Sequence, residues 1–221
     1  MNIEKARFNM IEQQIRPWDV LDLEILNLLT VVKREAFVPA AYIGLAFMDT
    51  EIPLLGGENM LQPKLEARLL QEAAVKKHEN VLEIGAGSGY MAALLAYRAR
   101  HVTTVEINPD LAAIAKDNLA EQGIGNANVV LGDGAQGWDD AGVNGVPYDL
   151  IVISGSLPVL PDAFLQQIKI GGRIVAIIGE APVMRAQLIT RMSDISYDTK
   201  TLFETTAKPL RNALVPSHFT F

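Results

Sequence analysis

Apolar residues in the first third of the chain recur at intervals of three and four, which is the spacing of an amphipathic helix. Residues 7–15 and 22–32 follow this spacing, and Pro17 interrupts the run between them. Pro39 is expected to end the helical region, because proline cannot continue a helix. Residues 51–63 are rich in glycine and proline and are expected to form a loop. The pattern predicts a helical N-terminal extension.

The rest of the chain alternates short apolar runs with helical periods. After an amphipathic helix at residues 64–75, strands are predicted at residues 81–84, 102–107, 129–131, 150–154 and 173–178. Helices are predicted from about residue 91, over residues 109–121 after an N-cap at Asn108, and over residues 162–168. Residues 186–206 are rich in β-branched side chains with no helix between them, which favours an antiparallel pair.

Strands that alternate with helices predict an α/β fold with a doubly wound, mostly parallel sheet and helices on both faces. The helical N-terminal extension packs on this sheet, and a closing antiparallel strand ends it. No repeat, low-complexity tract or flexible linker divides the chain, so a single domain over residues 1–221 is expected.

The composition narrows the classes of function. The chain has 221 residues, of which 49% are hydrophobic and 20% charged, as in a packed domain, and its net charge is −7. Acidic chains lack the positive field of nucleic-acid binders, so no nucleic-acid partner is expected. The absence of cysteine excludes disulfides, thiolate zinc sites and cysteine nucleophiles. His78, His101 and His218 lack metal-ligand spacing, so no metal site is expected.

The apolar runs are interrupted and are shorter than the stretch of about 20 residues that a membrane span needs. The first five residues, Met1-Asn2-Ile3-Glu4-Lys5, lack the basic-then-apolar pattern of a signal peptide. A cytoplasmic protein without a membrane partner is therefore expected.

A glycine-rich turn, Glu83-Ile84-Gly85-Ala86-Gly87-Ser88-Gly89-Tyr90, follows a predicted strand and opens a predicted helix. Glycines let the backbone turn sharply and approach a ligand closely, and a helix N-terminus favours an anionic group. The dinucleotide fingerprint has its third glycine where Tyr90 stands. The lysine of a P-loop and the Gly-x-Ser-x-Gly of a nucleophile elbow are missing. A ligand site is favoured over a purely structural turn.

Two acids follow the next predicted strands. Glu106 ends the second strand, where a carboxylate can accept two hydrogen bonds from a ribose diol. Asp133, between two glycines after the third strand, can accept a bond from an exocyclic amine of a flat base. The simpler alternatives are a solvated acid at a strand end and an ordinary Asp-Gly turn.

Residues Val81-Leu82-Glu83-Ile84-Gly85-Ala86-Gly87-Ser88-Gly89-Tyr90 resemble the first motif of class I S-adenosylmethionine-dependent methyltransferases. More narrowly, the chain is similar to protein-L-isoaspartate O-methyltransferases. That similarity rests on Arg34-Glu35-Ala36-Phe37-Val38-Pro39, Gly132-Asp133-Gly134 with Gly137-Trp138, Tyr148-Asp149-Leu150-Ile151-Val152, Ser154-Gly155-Ser156 and Gly171-Gly172-Arg173-Ile174-Val175. These segments follow the family's order from about residue 7 to residue 210.

The resemblance implies a Rossmann-like fold and S-adenosyl-L-methionine as cofactor. It implies that the three glycines of the turn lie beside the methionine part, that Glu106 holds the ribose, and that Asp133 and Gly134 lie by the adenine. Glu83 is expected to orient the loop and the cofactor's amino group. The cofactor-binding candidates are Glu83, Gly85, Ala86, Gly87, Ser88, Gly89, Glu106, Ile107, Asp133 and Gly134.

The implied reaction is methylation of a carboxylate, most simply that of an L-isoaspartyl residue in a damaged protein. A carboxylate with a pKa near 4 is already ionised at neutral pH, so the reaction needs alignment and exclusion of water more than a base. No catalytic residue is assigned from the sequence. Residues 1–63 are expected to form the helical extension and a substrate-side loop, and residues 64–221 the cofactor-binding core.

The chain departs from the family pattern on the acceptor side. The family's Ser-x-Pro serine, whose hydroxyl contacts the substrate carboxylate, is replaced by Leu61, which cannot donate a hydrogen bond. Asn59, Gln62 and Lys64 are the candidate substitutes, with Leu61 itself on the acceptor side. The usual Arg-Phe-Val-Pro-Leu near the C-terminus reads Thr206-Ala207-Lys208-Pro209-Leu210.

Three functions therefore stay open. The first is methylation of a protein or peptide that carries isoaspartate, and the second is methylation of another small carboxylate acceptor by a family-related enzyme. The third is a module that binds the cofactor without isoaspartyl activity. The sequence does not indicate an oligomeric state.

Overall fold

The computed structural model describes residues 2–138 and 147–216, so His218 lies outside the described residues. The helical extension comprises α1 (Ile3–Met10), which continues as a π-helical turn (Ile11–Ile15), and α2 (Leu23–Val31). The carboxylate of Asp22 accepts hydrogen bonds from the N–H groups of Glu24 and Ile25 and so begins α2. Both predicted helices are confirmed, with boundaries that differ by a few residues.

The helical region does not end at Pro39 as predicted. A 3₁₀ helix at Arg34–Phe37 precedes this proline, and a second one at Ala40–Leu45 follows it. Proline has no N–H to donate, and this costs nothing at the start of a helical turn, where Pro39 is the N-cap.

The predicted loop at residues 51–63 contains a small hairpin, which is a correction. Strand β1 (Ile52–Pro53) pairs antiparallel with β2 (Asn59–Met60). The chain reverses between them because Gly56 and Gly57 adopt φ of +68° and +76°, which glycine allows at little cost. Helix α3 (Pro63–Ala73) begins and ends earlier than predicted, and Ala74 takes a left-handed conformation after it.

Seven strands form one sheet. They are β3 (Asn80–Ile84), β4 (His101–Glu106), β5 (Ala127–Leu131), β6 (Tyr148–Leu157), β7 (Ile168–Glu180), β8 (Val183–Arg191) and β9 (Tyr197–Thr205). Their order is β5-β4-β3-β6-β7-β8-β9; the first five are parallel, and β8 and β9 are antiparallel to their neighbours. The predicted parallel sheet and closing antiparallel pair are confirmed.

The connections explain this topology. Helices α4 (Tyr90–Arg98), α5 (Pro109–Glu121) and α6 (Asp162–Gln167) follow β3, β4 and β6 and return the chain for parallel pairing. Short turns join β7, β8 and β9, and a short turn permits only a hairpin.

Two apolar clusters lie on the two faces of the sheet. One joins the N-terminal extension, through residues such as Leu29 and Phe37, to Leu70 of α3 and Leu94 of α4. The other is centred on Phe164 of α6 and Ile151 of β6. The extension is therefore an integral layer of the domain. Along the described residues, no helix combines the length and apolar character needed to cross a membrane.

The order of the strands reverses at β3, which lies between β4 and β6. The chain leaves β3 and β4 in one direction and β6 in the other. A crevice therefore opens at this point, outside the carboxyl ends of the strands. This crevice is where the candidate site lies.

Candidate active site

An open cavity lies at the carboxyl ends of β3 to β6, with about 670 Å³ of empty space when the solvent at its mouth is included, and a smaller one of about 300 Å³ on the same basis adjoins it. The larger cavity brings together candidates from both sides of the predicted site, namely Asn59, Leu61, Gly85, Gly87, Glu106, Ile107, Asp133 and Gly134. The smaller cavity adds Glu83, Ala86 and Ser88 to its wall and shares Leu61 with the larger one. Two candidates, Gly89 and Gln62, line neither cavity.

The glycine-rich turn is held against β4 by its own backbone. The N–H of Gly85 donates to the carbonyl of Val105 at 2.8 Å. Gly85 and Gly87 have φ of +94° and +54°, so both need glycine for conformational reasons. A Cβ on Gly85 would lie 3.1 Å from the Ser154 carbonyl oxygen. The backbone itself forms this wall of the cavity.

Gly89 has a different role from the other two glycines. It is the N-cap of α4 with φ of +86°, and a Cβ there would lie 3.1 Å from the carbonyl oxygen of Ala115 in α5. Its small size lets α4 and α5 pack closely.

Glu106 is buried at the end of β4, and both of its oxygens are oriented by backbone donors. One accepts from the N–H of Gly87 and the other from the N–H of Asn108, each at 2.9 Å. Carboxylate oxygens have further acceptor sites, so a diol can still bind to both. Glu106 thus orders the glycine turn and presents unused acceptor positions to the cavity.

The adenine-side candidates lie after β5. The Asp133 carboxylate is exposed and accepts from the N–H of Ala135 at 3.1 Å and from the Asn212 side chain at 2.8 Å. A Cβ on Gly134 would lie 2.7 Å from Ile84, so glycine is needed there for the floor of the cavity. Asn212 was not predicted as part of this wall.

Glu83 is fully buried on β3 and accepts hydrogen bonds from the hydroxyls of Thr104 and Ser154, both at 2.7 Å. Burial raises the pKa of Glu83 to about 8, although both hydroxyls oppose this rise. The side chain is therefore largely protonated at neutral pH, and it fixes Ser154 at the cavity edge.

Leu61 lies with its side chain buried in the wall shared by the two cavities. Its carbonyl oxygen accepts a hydrogen bond of 2.7 Å from Arg34, which is fully buried. Asn59 also lines both cavities, whereas Gln62 is the N-cap of α3. Lys64 pairs with Asp49 instead. Of the three expected substitutes for the missing hydroxyl, Asn59 alone borders these two cavities.

Arg34 connects the N-terminal extension to this wall. Its guanidinium pairs with Glu66 and lies 5.1 Å from the centre of the Tyr90 ring. Burial raises the pKa of Glu66 to about 7 against the attraction of Arg34. The Arg34 segment that marked the family resemblance thus positions the acceptor-side backbone.

The residues after β9 complete the cavity. Residues 207–210 are tied to Ser156 of β6, whose N–H donates to the Lys208 carbonyl and whose carbonyl accepts from the N–H of Leu210, both at 2.9 Å. Lys208, Leu210 and Arg211 line the cavity, as does Glu58 from the hairpin. These four were not predicted as site residues, although Lys208 and Leu210 belong to a segment that the sequence marked as altered.

The lining of the cavity offers contacts that suit a nucleoside joined to an amino acid. Positive-φ glycines give a backbone cradle, Glu106 offers an acceptor pair for a diol, and apolar side chains of Ile84, Val105 and Leu111 line the space between them. A mostly parallel sheet with such a site at its topological switch point is the architecture of a Rossmann-like protein that binds a nucleotide-containing ligand.

The family model described as "Protein-L-isoaspartate(D-aspartate) O-methyltransferase (PCMT)" matches residues 5–213. The chain belongs to this protein-L-isoaspartate O-methyltransferase family.

Curated relatives agree with this assignment. A protein-L-isoaspartate O-methyltransferase of Rhodopseudomonas palustris (strain ATCC BAA-98 / CGA009) is 38% identical over 205 residues, which cover 92% of each chain. One from Brucella anthropi is 35% identical, with 91% of each chain covered.

Solved structures share the fold. A chain from Plasmodium falciparum, described as a candidate protein-L-isoaspartate O-methyltransferase in complex with S-adenosyl-L-homocysteine, gives a TM-score of 0.80 at 17% identity. The match covers 96% of this chain and all (100%) of that one. A second structure, named protein-L-isoaspartate O-methyltransferase, gives 0.75 at 26% identity and covers 94% of this chain and 65% of the other.

Proposed function

We infer that the protein transfers a methyl group from S-adenosylmethionine to the free carboxylate of L-isoaspartyl residues in proteins and peptides. Membership of the family supports this activity. The observation that carries it is the cavity itself, because one continuous space borders both the glycine turn with Glu106 and the acceptor-side wall at Leu61. A donor and an acceptor can therefore meet in it.

The cofactor-side residues have distinct proposed roles. The backbone of Gly85 and Gly87 lies beside the amino-acid part, Glu106 accepts from the ribose hydroxyls, and Asp133 with Gly134 borders the adenine. Glu83 and Ser154 are joined by a hydrogen bond, and their proposed role is to position the wall between the two cavities. When bound, the cofactor supplies a methyl group on a sulfonium, which needs no further activation.

The chain contributes alignment and exclusion of water. An acceptor carboxylate with a pKa near 4 is ionised at neutral pH, so no side chain has to remove a proton. Leu61 and Leu210 border the cavity with apolar surface, which excludes water from the reacting oxygen. The fixed backbone at Leu61, held by Arg34, keeps this surface in one position.

Leu61 also supports a second candidate function. A hydroxyl donor is absent at the position where the family has serine, and the leucine side chain fills that wall. An enzyme of the same chemistry that methylates another small carboxylate would fit such a wall. A module that binds the cofactor without turnover is the remaining alternative.

We further propose that residues 1–63 provide the acceptor side and residues 64–221 the cofactor core, with a contribution of the C-terminal segment to the acceptor side. The cytoplasm is the proposed location. Fractionation of cells that produce the native protein, followed by detection with an antibody, tests this location.

A methyl-transfer assay tests the function. The protein is incubated with S-adenosylmethionine labelled on its methyl group and with an isoaspartyl peptide, the matching aspartyl peptide, or cell extract. Base-labile label on the isoaspartyl peptide alone is the expected result, because a methyl ester hydrolyses readily. Label in the extract without label on the peptide would favour the second candidate. If calorimetry detects cofactor binding but neither the peptides nor the extract are labelled, the module that binds the cofactor without turnover is favoured.

A further inference from the structure

Two cationic side chains, Lys208 and Arg211, are present among the described residues that line the larger cavity. The Lys208 ammonium donates to the carbonyl oxygen of Gly57 at 2.6 Å and lies 2.8 Å from a carboxylate oxygen of Glu58. The guanidinium of Arg211 donates to the other Glu58 oxygen and to the carbonyl oxygen of Gly56, both at 2.6 Å. The Glu58 carboxylate thus forms ion pairs with both cations at the cavity mouth.

Both cations leave donors open, since within the described residues Arg211 uses two of its five N–H donors, on Glu58 and Gly56. Lys208 differs from it in its compact charge on a flexible stem. An ammonium carries three N–H donors, and within residues 2–138 and 147–216 Lys208 uses them on two partners, so one donor is left for a ligand. The side chain is 41% exposed and can move on its flexible stem. Arg211 lies between the hairpin and Asn108, since both side chains approach Gly56.

The backbone of Lys208 is fixed close to the glycine turn. Its carbonyl accepts from Ser156 of β6, and a Cβ on Gly155 would lie 3.3 Å from that same carbonyl oxygen. A Cβ on Gly85 would approach Leu210, two residues further on, to 3.4 Å. The side chain of Lys208 therefore extends from a backbone position that β6 holds in place, close to the glycine turn.

The charges at this mouth favour an anion. Burial opposes ionisation of Glu58, but the hydrogen bonds from Lys208 and Arg211 outweigh it and lower the pKa of this carboxyl, so Glu58 stays ionised at neutral pH. At this mouth one negative and two positive charges leave an excess of one positive charge, whereas the acids Glu106 and Asp133 line the other side of the cavity. Leu61 offers no hydrogen-bond donor from its side chain, so a carboxylate that enters the cavity finds its cationic partner at this mouth.

We propose that Lys208 is the specificity-determining residue of the acceptor site, whose ammonium binds the substrate carboxylate with Glu58 as the competing anion. The proposal rests on the proposed function and names the group that recognises its substrate. A purely structural clasp is the alternative, in which the ion pair only ties residues 207–211 to the hairpin.

The two roles predict opposite signs for one pair of variants. Lys208→Met and Glu58→Gln both break the same ion pair, so a structural clasp weakens substrate binding in both. If Lys208 binds the carboxylate, Lys208→Met weakens binding, whereas Glu58→Gln removes the competitor and strengthens it. Lys208→Arg keeps the charge and restores binding.

Calorimetry of the full-length protein loaded with S-adenosylhomocysteine measures the Kd of an isoaspartyl peptide without turnover. Lys208→Met is expected to raise this Kd about two- to fivefold, the range for an ionic bond at a partly exposed site. Glu58→Gln is expected to lower it about two- to threefold. A peptide with a carboxamide in place of the free carboxylate should bind equally to all variants. Arg185→Met, which removes an exposed cation on β8, is the matched control for the change in net charge.

The affinity for S-adenosylhomocysteine shows that each variant is folded. An unchanged peptide Kd in Lys208→Met, a weaker binding in both variants, or no peptide binding to the wild type would each overturn the role of Lys208. Failure of the proposed function gives a different result, in which the peptide binds through Lys208 and receives no methyl group.

Discussion

The two sides of the cavity are built in different ways. The side that we propose for the cofactor comes from neighbouring strands and the turn after β3, and backbone hydrogen bonds such as that from Gly85 to Val105 hold it together. The acceptor side joins three segments that are distant in sequence, and side chains connect them. Arg34 reaches Leu61, and Lys208 reaches Gly57 across 151 residues. The acceptor side can therefore change by single substitutions that leave the sheet intact.

The departures from the family pattern follow this division. The glycine turn and Glu106 keep their expected positions around the cavity, whereas Leu61 and Lys208 lie on the acceptor side. Backbone geometry constrains the first set, because a side chain at Gly85 or Gly87 meets strain at positive φ. Few such backbone constraints act on Leu61 and Lys208.

Gly87→Val should give the largest effect and would break the cofactor side. A branched side chain is strained at φ +54°, and its Cβ would lie 3.3 Å from Leu54 at the cavity wall. We expect cofactor affinity to fall by about a hundredfold or more, which is roughly 2.7 kcal/mol. Calorimetry measures the affinity, and circular dichroism checks the fold.

Gly123→Val is the control for this change. Gly123 has φ of +68°, and a Cβ added to it would have no atom within 4 Å, so the strain is similar and the cavity is untouched. Equal loss of affinity in both variants would mean that strain alone, rather than the place of Gly87 in the site, explains the result.

Glu106→Ala should reduce cofactor affinity by about ten- to a hundredfold, since hydrogen bonds that involve a charged group contribute about 1.5–3 kcal/mol. The change removes both ribose acceptors and the partners of the Gly87 and Asn108 N–H groups. Titration calorimetry with S-adenosylhomocysteine tests it, and Glu121→Ala at an exposed position of α5 is the control. Unaltered affinity would exclude Glu106 from ribose binding.

The pH dependence of stability tests two buried acids, Glu83 and Glu66, which line the smaller cavity between the two sides. Burial raises the pKa of Glu83 to about 8 and that of Glu66 to about 7, above the ordinary value near 4.3. Between pH 5 and 8.5 the folded protein therefore holds protons that the unfolded chain releases, and stability falls as pH rises. We expect Tm to drop steadily as the pH rises over this range.

Glu83→Gln should flatten this profile, because a neutral amide replaces the titrating group between Thr104 and Ser154. Thermal unfolding of both proteins across the pH range gives the comparison. A wild-type Tm that rises with pH would mean that Glu83 and Glu66 are ionised in the folded state.

Leu61→Ser should give the smallest effect and acts on the acceptor side. The serine hydroxyl would add a donor for the substrate carboxylate, and methylation of an isoaspartyl peptide should rise up to about tenfold in kcat/KM. Leu61→Ala creates a similar space without the donor and is the matched control. If the two variants behave alike, the size of the side chain matters and the hydroxyl does not.

The sequence predicted most elements because their signals are local. Asn108 and Pro109 marked the start of α5, and the side chain of Asn108 indeed caps it through the N–H groups of Asp110 and Leu111. The hairpin at β1 and β2 was missed, because two-residue strands have no recognisable period. Only its contacts in the folded protein distinguish it from a loop.

The candidate site was predicted in part for the same reason. Gly85, Gly87 and Glu106 are adjacent in the βαβ unit that carries them, so their spacing already implied a common edge of the sheet. Gly89 matched the motif but packs α4 on α5, a role that spacing cannot reveal. Glu58 and Arg211 carried no signal in the sequence, since each is an ordinary surface charge until the fold brings the two together.

The sequence by itself determined the α/β class, the parallel direction of the central strands and the glycine turn that opens α4. These follow from hydrophobic period, capping residues and backbone conformation, which act over a few neighbouring residues. Only the tertiary structure decided the acceptor side, where Arg34, the hairpin and residues 207–211 meet. Their contacts depend on how distant segments pack on the sheet, and the free energy of such packing is not encoded in the spacing of any one segment.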